Sequence, residues 1–238
     1  MKKAKSNNSF RKIKAIFKKE IKDAFKSNRI VFLFLLFPVF TYVISMAMKG
    51  NAGTNPLVFL MMHVSMIPLM VTAALIAEEK DKNTLRVLIL SNIRPMQYLL
   101  GVGSFVFIIN MITSCLFLPL LHLDPVYIPK FLLVIAIGIL CSTILGAIVG
   151  VLVKSGANIA GATLPVSLIF AFIPLLAVGS SNAIITAIAS FLYSGELMII
   201  LFDIANNFTF SGVSIMLVNV VVLLTIFTFV YNQKKLSD

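Results

Sequence analysis

Long runs of apolar residues, separated by short polar intervals, make up most of the chain. Six of these runs contain no charged residue and reach the length of roughly 20 residues that an α-helix needs to cross a bilayer. They cover residues 30–48, 57–77, 99–121, 131–153, 157–178 and 212–231. The pattern therefore predicts an all-α integral membrane protein whose six transmembrane helices form a single transmembrane domain over residues 1–238.

Residues 179–211 have an ambiguous pattern. Two short apolar pieces, at 183–192 and 196–204, are separated by Ser194 and Gly195, and each is too short to cross a bilayer. We predict an extracellular re-entrant hairpin, in which both pieces dip into the membrane from the outer face. The alternative is that the two pieces form a seventh span, which would move the C-terminus to the other side of the membrane.

The first 29 residues are basic and amphipathic. Phe10, Ile13, Phe17 and Ile21 recur at steps of three or four, and lysines fall between them. A helix with this pattern lies in the plane of the headgroups, with its lysines toward anionic lipid. We therefore predict an N-terminal amphipathic interfacial helix that contacts membrane lipid.

The distribution of basic residues predicts the orientation of the chain. Its net charge of +11 would, by itself, also be typical of a nucleic-acid-binding protein. With six spans, however, 18 of the 20 Lys and Arg residues fall on the side of both termini, and only Lys49 and Lys130 fall on the other. Because basic loops stay in the cytoplasm, we expect a multi-pass protein of the cell membrane with cytoplasmic termini and no nucleic-acid partner.

The sequence carries no pattern for catalysis, for a metal site or for a bound cofactor. The phosphate-binding loop G-x-x-x-x-G-K-[ST] does not occur, and His63 and His122 have no second ligand at metal-binding spacing. The spans also lack the carboxylates that ion-driven carriers keep at membrane depth. Their mild polar side chains suit either a pathway for an amphiphilic cargo or hydrogen bonds between helices. The candidate pathway residues are His63, Asn110, Thr113 and Asn219.

The fourth span carries small residues at four-residue spacing. Residues spaced in this way share one face of a helix and let a second helix backbone approach closely, either within the chain or between two chains. The predicted helix-packing residues are Gly138, Ser142, Gly146 and Gly150.

Residues 78–101 interrupt the apolar runs with a dense group of charges. Their central part, 84–90, is too apolar for a solvated cytoplasmic loop. This favours a short helix that is covered by lipid or by a partner. The segment combines acidic residues, a Thr-Leu pair, a second Leu, a Ser, a Pro and a closing Gly. These residues are Glu78, Glu79, Asp81, Thr84, Leu85, Leu88, Ser91, Pro95 and Gly101. Together with the N-terminal helix and the six spans, the segment resembles the permease subunit of a type-2 ATP-binding-cassette (ABC) transporter.

The resemblance implies a mechanism. Two permease subunits, identical or different, pair in the membrane, and each contacts a separate cytoplasmic ATPase that binds ATP and Mg²⁺. Residues 78–94 would form a cytoplasmic coupling helix that docks on this ATPase, whereas the chain itself would hold no cofactor and perform no chemistry. The implied ATPase-coupling residues are Glu78, Glu79, Asp81, Thr84, Leu85, Arg86, Leu88, Ser91 and Arg94.

The function that the resemblance implies is export of an amphiphilic cargo, such as a peptide, drug, lipid or polysaccharide. A non-transporting immunity, sensor or scaffold protein with the same fold is the alternative. A membrane enzyme acting on lipid would need a nucleophile and a base at one depth, and no such pair occurs in the spans. Substitution of Glu79 or Leu88 separates the first two classes, because only a transporter would lose export and ATPase stimulation while still inserting into the membrane.

Overall fold

The computed structural model describes residues 2–26, 28–47, 55–82 and 95–237 of the chain. Within these ranges there are ten α-helices, and the 3₁₀ turns Pro125–Tyr127 and Gly156–Asn158 precede the sixth and the seventh. The helices are α1 (Lys2–Lys26), α2 (Asn28–Ala47), α3 (Pro56–Asp81), α4 (Pro95–Cys115), α5 (Leu118–Leu121), α6 (Ile128–Leu152), α7 (Ile159–Ala177), α8 (Ala183–Phe191), α9 (Tyr193–Phe202) and α10 (Phe210–Ser237).

Six helical segments of this described part are long and apolar enough to cross a membrane, or seven if the bent pair α8–α9 counts as one span. They contain α2, α3, α4, α6, α7 and α10. The predicted all-helical membrane fold with six spanning helices is therefore confirmed.

Local sequence explains where several helices begin and end. Pro56 opens α3, and the side chain of Asn55 accepts a hydrogen bond from the amide of Leu57 at 3.0 Å, which caps the helix. The third apolar run is divided, because α4 ends at Cys115 and the separate short helix α5 follows. Pro119 has no amide hydrogen to continue the ladder of α4, and the last bonds before it are already of the i to i+3 kind.

The helices α3 and α6 form the centre of the bundle and are largely buried, whereas α2, α7 and α10 are largely exposed. Where α3 ends, the ammonium of Lys80 donates a hydrogen bond to Val153 O at the end of α6, at 2.7 Å. We call this the Lys80 end of the bundle. At the opposite end, where α6 begins, the ammonium of Lys130 lies 5.5 Å from the ring centre of Tyr127 and 5.2 Å from that of Phe208. We call it the Lys130 end.

The helices alternate in direction between these two ends. Tyr98, near the start of α4, and Tyr231, near the finish of α10, have ring centres 6.3 Å apart at the Lys80 end. Tyr42, late in α2, donates a hydrogen bond to Leu116 O, just after α4, at 3.0 Å, toward the Lys130 end. Both α1 and the last turns of α10 are therefore at the Lys80 end.

The pair α8–α9 begins and ends at the Lys130 end. Helix α7 starts at the Lys80 end, where the amide of Gly156 bonds to Asp81, so it finishes at the other end. Beyond α9, Phe208 lies beside Lys130. The two short helices are bent by 98° relative to each other. At the bend, Tyr193 reaches Ser142 in the middle of α6, with 2.9 Å between their hydroxyl oxygens.

Candidate functional site

The last turn of α3 brings three consecutive side chains to three parts of the bundle. The helix continues through Glu78–Asp81, one turn beyond the end that the apolar run suggested at residue 77. Successive residues of an α-helix point about 100° apart, because the helix has 3.6 residues per turn. Glu79, Lys80 and Asp81 therefore face different neighbours, and each makes a polar contact with the neighbour that it faces.

Glu79 is buried, with 4% of its surface exposed. Its carboxylate forms an ion pair with the ammonium of Lys19 in α1 and accepts a hydrogen bond from the hydroxyl of Tyr98 in α4. Burial lowers the pKa of the Lys19 ammonium, but the hydrogen bond and charge of Glu79 outweigh it, so that the net pKa is raised. Lys19 is thus held in its charged form, which a buried carboxylate requires of its partner.

The other two side chains fasten α3 to α6 and α7. The ammonium of Lys80 donates to Val151 O and Val153 O at the end of α6, where free carbonyls and the helix dipole favour a cation. The carboxylate of Asp81 accepts the amide of Gly156 with both oxygens, at 2.9 and 3.1 Å. This bond holds the turn that leads into α7.

Glu78 differs from its neighbour Glu79. It is exposed, and its carboxylate pairs with the ammonium of Lys82 one turn later, at 2.5 Å. The hydrogen bond and charge of Glu78 raise the pKa of Lys82. Exposed pairs of this kind contribute little to stability, typically up to about 1 kcal/mol. Glu78 therefore remains accessible at the surface, whereas Glu79 belongs to the interior.

Glu20 is a second buried carboxyl group beside Lys19. It is 2% exposed, and its Oε1 lies 3.3 Å from the Lys19 ammonium. Burial, followed by the charge of Glu79, raises the pKa of Glu20 to about 7, although Lys19 opposes the shift. A cavity of about 60 Å³ lies between α1 and α3, with Lys19, Glu20, Asp23 and Glu79 in its wall. One ammonium thus serves two carboxyl groups, and a proton on Glu20 balances their charge near neutral pH.

Replacing Glu20 by Gln is expected to stabilise the protein at alkaline pH. Because folding raises the pKa of Glu20 from 4.5 to about 7, the stability that its protonated form provides is complete below pH 4.5 and is lost as the pH rises through 7. We expect E20Q to gain about 2 kcal/mol at pH 8, which raises the melting temperature by about 4 to 8 °C, and much less at pH 5. Thermal unfolding of the purified protein at both pH values measures this.

The control for this prediction is Asp23→Asn, which removes an exposed carboxylate from the same helix. It should not reproduce the pH-dependent gain. An equal gain for E20Q at pH 5 and pH 8 would contradict the assignment of the proton to Glu20.

Three of the four candidate pathway residues come together between α3 and α4. His63, Asn110 and Thr113 are buried, and His63 Nε2 lies 2.9 Å from Thr113 Oγ1. The Thr113 hydroxyl has one proton, which it can donate either to Ile109 O at 3.0 Å or to an unprotonated Nε2 of His63. His63 Nδ1 and the side-chain amide of Asn110 have no hydrogen-bond partner within the described ranges. Asn219 lies apart in α10 and donates to Phe191 O at 3.1 Å.

The small-residue stripe of α6 packs against α3 within the same chain. A Cβ added at Gly146 would lie 2.8 Å from Leu69 Cα, and one at Gly150 would lie 3.0 Å from Ala73 Cα. Ser142 donates to Val64 O at 2.7 Å, and Gly138 faces both Val64 and Leu197 of α9. The two backbones are therefore in direct contact, with no room for a side chain between them.

Several predicted residues cannot be placed in this site. Thr84, Leu85, Arg86, Leu88, Ser91 and Arg94 lie outside the described residues. Conversely, the sequence did not predict a site role for Lys19, Glu20, Tyr98 or Tyr193. For Glu20 the sequence contains a signal, because it is an acidic residue within a basic segment. In the structure it lies one turn after Ile16, on the face of α1 that packs against Gly101 of α4.

The bundle and its family match together define a multi-pass membrane transport component. A model for the "ABC-2 family transporter protein" matches residues 49–232, which is more than three quarters of the chain and extends from just before α3 into α10. The chain therefore belongs to the ABC-2 transporter family, and the resemblance drawn from residues 78–101 is confirmed. Members of the family are transport components, not catalysts, and normally work with an ATPase subunit. The chain has no significant match among curated proteins.

Proposed function

We propose that this chain is the permease subunit of an ABC exporter, which forms the translocation pathway while a separate ATPase supplies the energy. The observation that carries the proposal is the family match over residues 49–232. ATP and Mg²⁺ would bind to the ATPase, because the permease sequence contains no phosphate-binding loop. The permease would then contribute binding surfaces and movement, and no chemistry of its own.

The Lys80 end would face the cytoplasm and receive the ATPase. Two arguments support this orientation. Helix α1, which supplies 10 of the 20 Lys and Arg residues of the chain, is at this end, and basic segments remain cytoplasmic. Residues 83–94, which are the rest of the predicted coupling helix and are called the coupling segment below, follow the last turn of α3 directly. Glu78 is exposed there and is available to a docking partner.

The pair α8–α9 would be a re-entrant hairpin that enters from the outer face and covers the outer side of the pathway. Its support is that both ends lie at the Lys130 end, while its bend reaches Ser142 within the bundle. The buried residues of α9, which include Leu197 and Ile200, pack in the same cluster as Val134 and Ile135 of α6. A seventh span would instead have to leave at the Lys80 end.

The cargo would be amphiphilic. The pathway residues on α3 and α4 offer hydrogen-bonding groups within apolar surroundings, with the rings of Phe37 and Phe117 beside His63. The exposed apolar faces of α2, α7 and α10 need a cover, which lipid and a second permease subunit would provide. The second subunit is either another copy or a different permease.

Reconstitution tests the proposal. The permease is co-expressed with candidate ABC ATPases, and the purified complex is placed in proteoliposomes with a panel of fluorescent lipids, peptides and drugs. We expect a stable complex, ATP hydrolysis stimulated several-fold by at least one compound, and transport of that compound that requires ATP. A hydrolysis-deficient ATPase is the control.

The possible results separate the function classes. A stable complex that hydrolyses ATP but moves no member of the panel favours the sensor or scaffold class. Absence of any complex with the ATPase contradicts the permease assignment.

A further inference from the structure

Four helices meet around the carboxylate of Glu79. It belongs to α3, its ion-pair partner Lys19 belongs to α1, and its hydrogen-bond donor Tyr98 belongs to α4. The ring of Tyr231 in α10 packs against that of Tyr98, with their centres 6.3 Å apart. Tyr98 and Tyr231 are both buried. The side chain of Glu79 thus connects the end of α3 directly to α1 and α4, and through Tyr98 to α10.

The position of this contact along α3 places it next to the coupling segment. Glu79 lies in the last turn of the helix, and residues 83–94 follow almost at once. A force applied to that segment enters the bundle through this turn and through the start of α4 at Pro95. Lys80 and Asp81 connect the turn to α6 and α7, and Glu79 connects it to α1 and α4.

The contact is expected to contribute substantially to holding α1 against α3. Removing one partner of a buried charge pair leaves the other charge without compensation, and this costs far more than losing an exposed pair. Lys19 is 40% exposed along its side chain and lies 3.3 Å from Glu20, so water and this second carboxyl group would compensate part of the loss. The free energy of separating α1 from α3 is therefore expected to depend on Glu79, and not on exposed carboxylates such as Asp23.

We propose that Glu79 is a positioning residue inside the permease, which ties α1 and α4 to the coupling segment so that movement of this segment is transmitted to α1. This inference rests on the proposed function, but it gives Glu79 a different role from the one that the resemblance implies, which is direct contact with the ATPase. Its burial supports the internal role, because a carboxylate that is 4% exposed and already bonded twice has little surface for a partner.

The test uses the full-length permease in nanodiscs, alone and in complex with its ATPase. The variants are Glu79→Gln, the control Asp23→Asn, which removes an exposed carboxylate of α1, and the charge exchange Lys19→Glu with Glu79→Lys, which restores the pair in reverse. Hydrogen–deuterium exchange of peptides covering residues 11–23 reports on α1 before and after addition of ATP and vanadate. The ATPase content of each purified complex reports on docking.

In the permease alone, E79Q should raise exchange in α1 about tenfold, and the charge exchange should reverse most of this increase. In the complex, ATP and vanadate should change the exchange of α1 in the wild type, in D23N and in the charge-exchanged protein, but not in E79Q. The ATPase content should be equal in all four. A purely structural role for Glu79 would change the exchange of α1 without abolishing its response to the nucleotide.

Three results would overturn the inference. Unchanged exchange of α1 in E79Q alone would show that the contact does not hold the helix. A retained response of α1 to ATP in the E79Q complex would show that transmission does not pass through Glu79. Loss of the ATPase from E79Q but not from D23N would place Glu79 on the docking surface. If even the wild type binds no ATPase, the proposed function fails, and the transmission role fails with it.

Discussion

Replacing Gly146 by Ala is expected to lower the stability of the protein strongly, although only one methyl group is added. The new Cβ would overlap Leu69 O and lie 2.8 Å from Leu69 Cα, and both are backbone atoms of the central helix α3. A clash with a flexible side chain can be relieved by a change of rotamer, but here α3 and α6 must separate along their whole contact. Overpacking of a core forces side chains off their rotamers and shifts the backbone, which costs about 1 to 3 kcal/mol and occasionally more.

The matched control is Gly161→Ala in α7, where an added Cβ has no heavy atom within 4 Å. Ala favours a helix over Gly by about 1 kcal/mol, so this variant should be as stable as the wild type or slightly more stable. Size-exclusion profiles and melting temperatures of the purified proteins measure both effects. Equal melting temperatures for G146A and G161A would contradict the close backbone contact between α3 and α6.

Replacing Gly195 by Ala is expected to open the bend between α8 and α9. A Cβ at this position would overlap Ala189 O and lie 2.6 Å from the carbonyl carbon of Ala189. The two short helices would have to move apart, which would withdraw Tyr193 from Ser142 and from the ring of Phe170, now stacked at 5.2 Å between centres. The cluster that contains Tyr193, Leu197 and Cys141 would then lose its packing.

Thiol labelling can measure this opening. The chain has two free cysteines, of which Cys141 is buried and Cys115 is partly exposed. With a small membrane-permeable maleimide, we expect slow labelling of Cys141 in the wild type and labelling at least about tenfold faster in G195A, since exchange rates follow the population of the open form. Ser190→Ala, which removes only a local bond on the exposed side of α8, is the control. Unchanged protection of Cys141 in G195A would contradict the role of the hairpin in covering it.

The sequence was sufficient for the arrangement of spans because the signal is local. A run of about 20 apolar residues has few alternatives to a helix in a bilayer, so the six runs predicted six helices. The same reasoning could not show that the third run is divided at residues 116–117, since Leu and Phe continue through the break. In that case the local signal is Pro119, which cannot donate the next bond of the ladder, although Pro38 and Pro68 lie inside helices that continue past them.

The polar contacts of the site could not be predicted, because each joins residues that are distant in the sequence. Lys19 and Glu79 are 60 positions apart, and His63 and Thr113 are 50 apart. Composition placed Glu79 in a charged interval and therefore at a surface, but the extension of α3 by one turn places it in the interior. The stripe from Gly138 to Gly150 predicted a close helix contact, and only the structure could identify α3 as its partner within the chain.

The hydrogen bonds of Ser142 limit how the helices of the bundle can move relative to one another. The Ser142 hydroxyl bonds to Val64 O of α3 and to Tyr193 of the hairpin at once, next to glycines that leave no space between α3 and α6. A sliding movement of α3 along α6 would break the bond to Val64 O and drive side chains into backbone. We therefore expect the central pair and the hairpin to move together, and a conformational cycle to consist of movements of α1, α2, α4 and α10 around them.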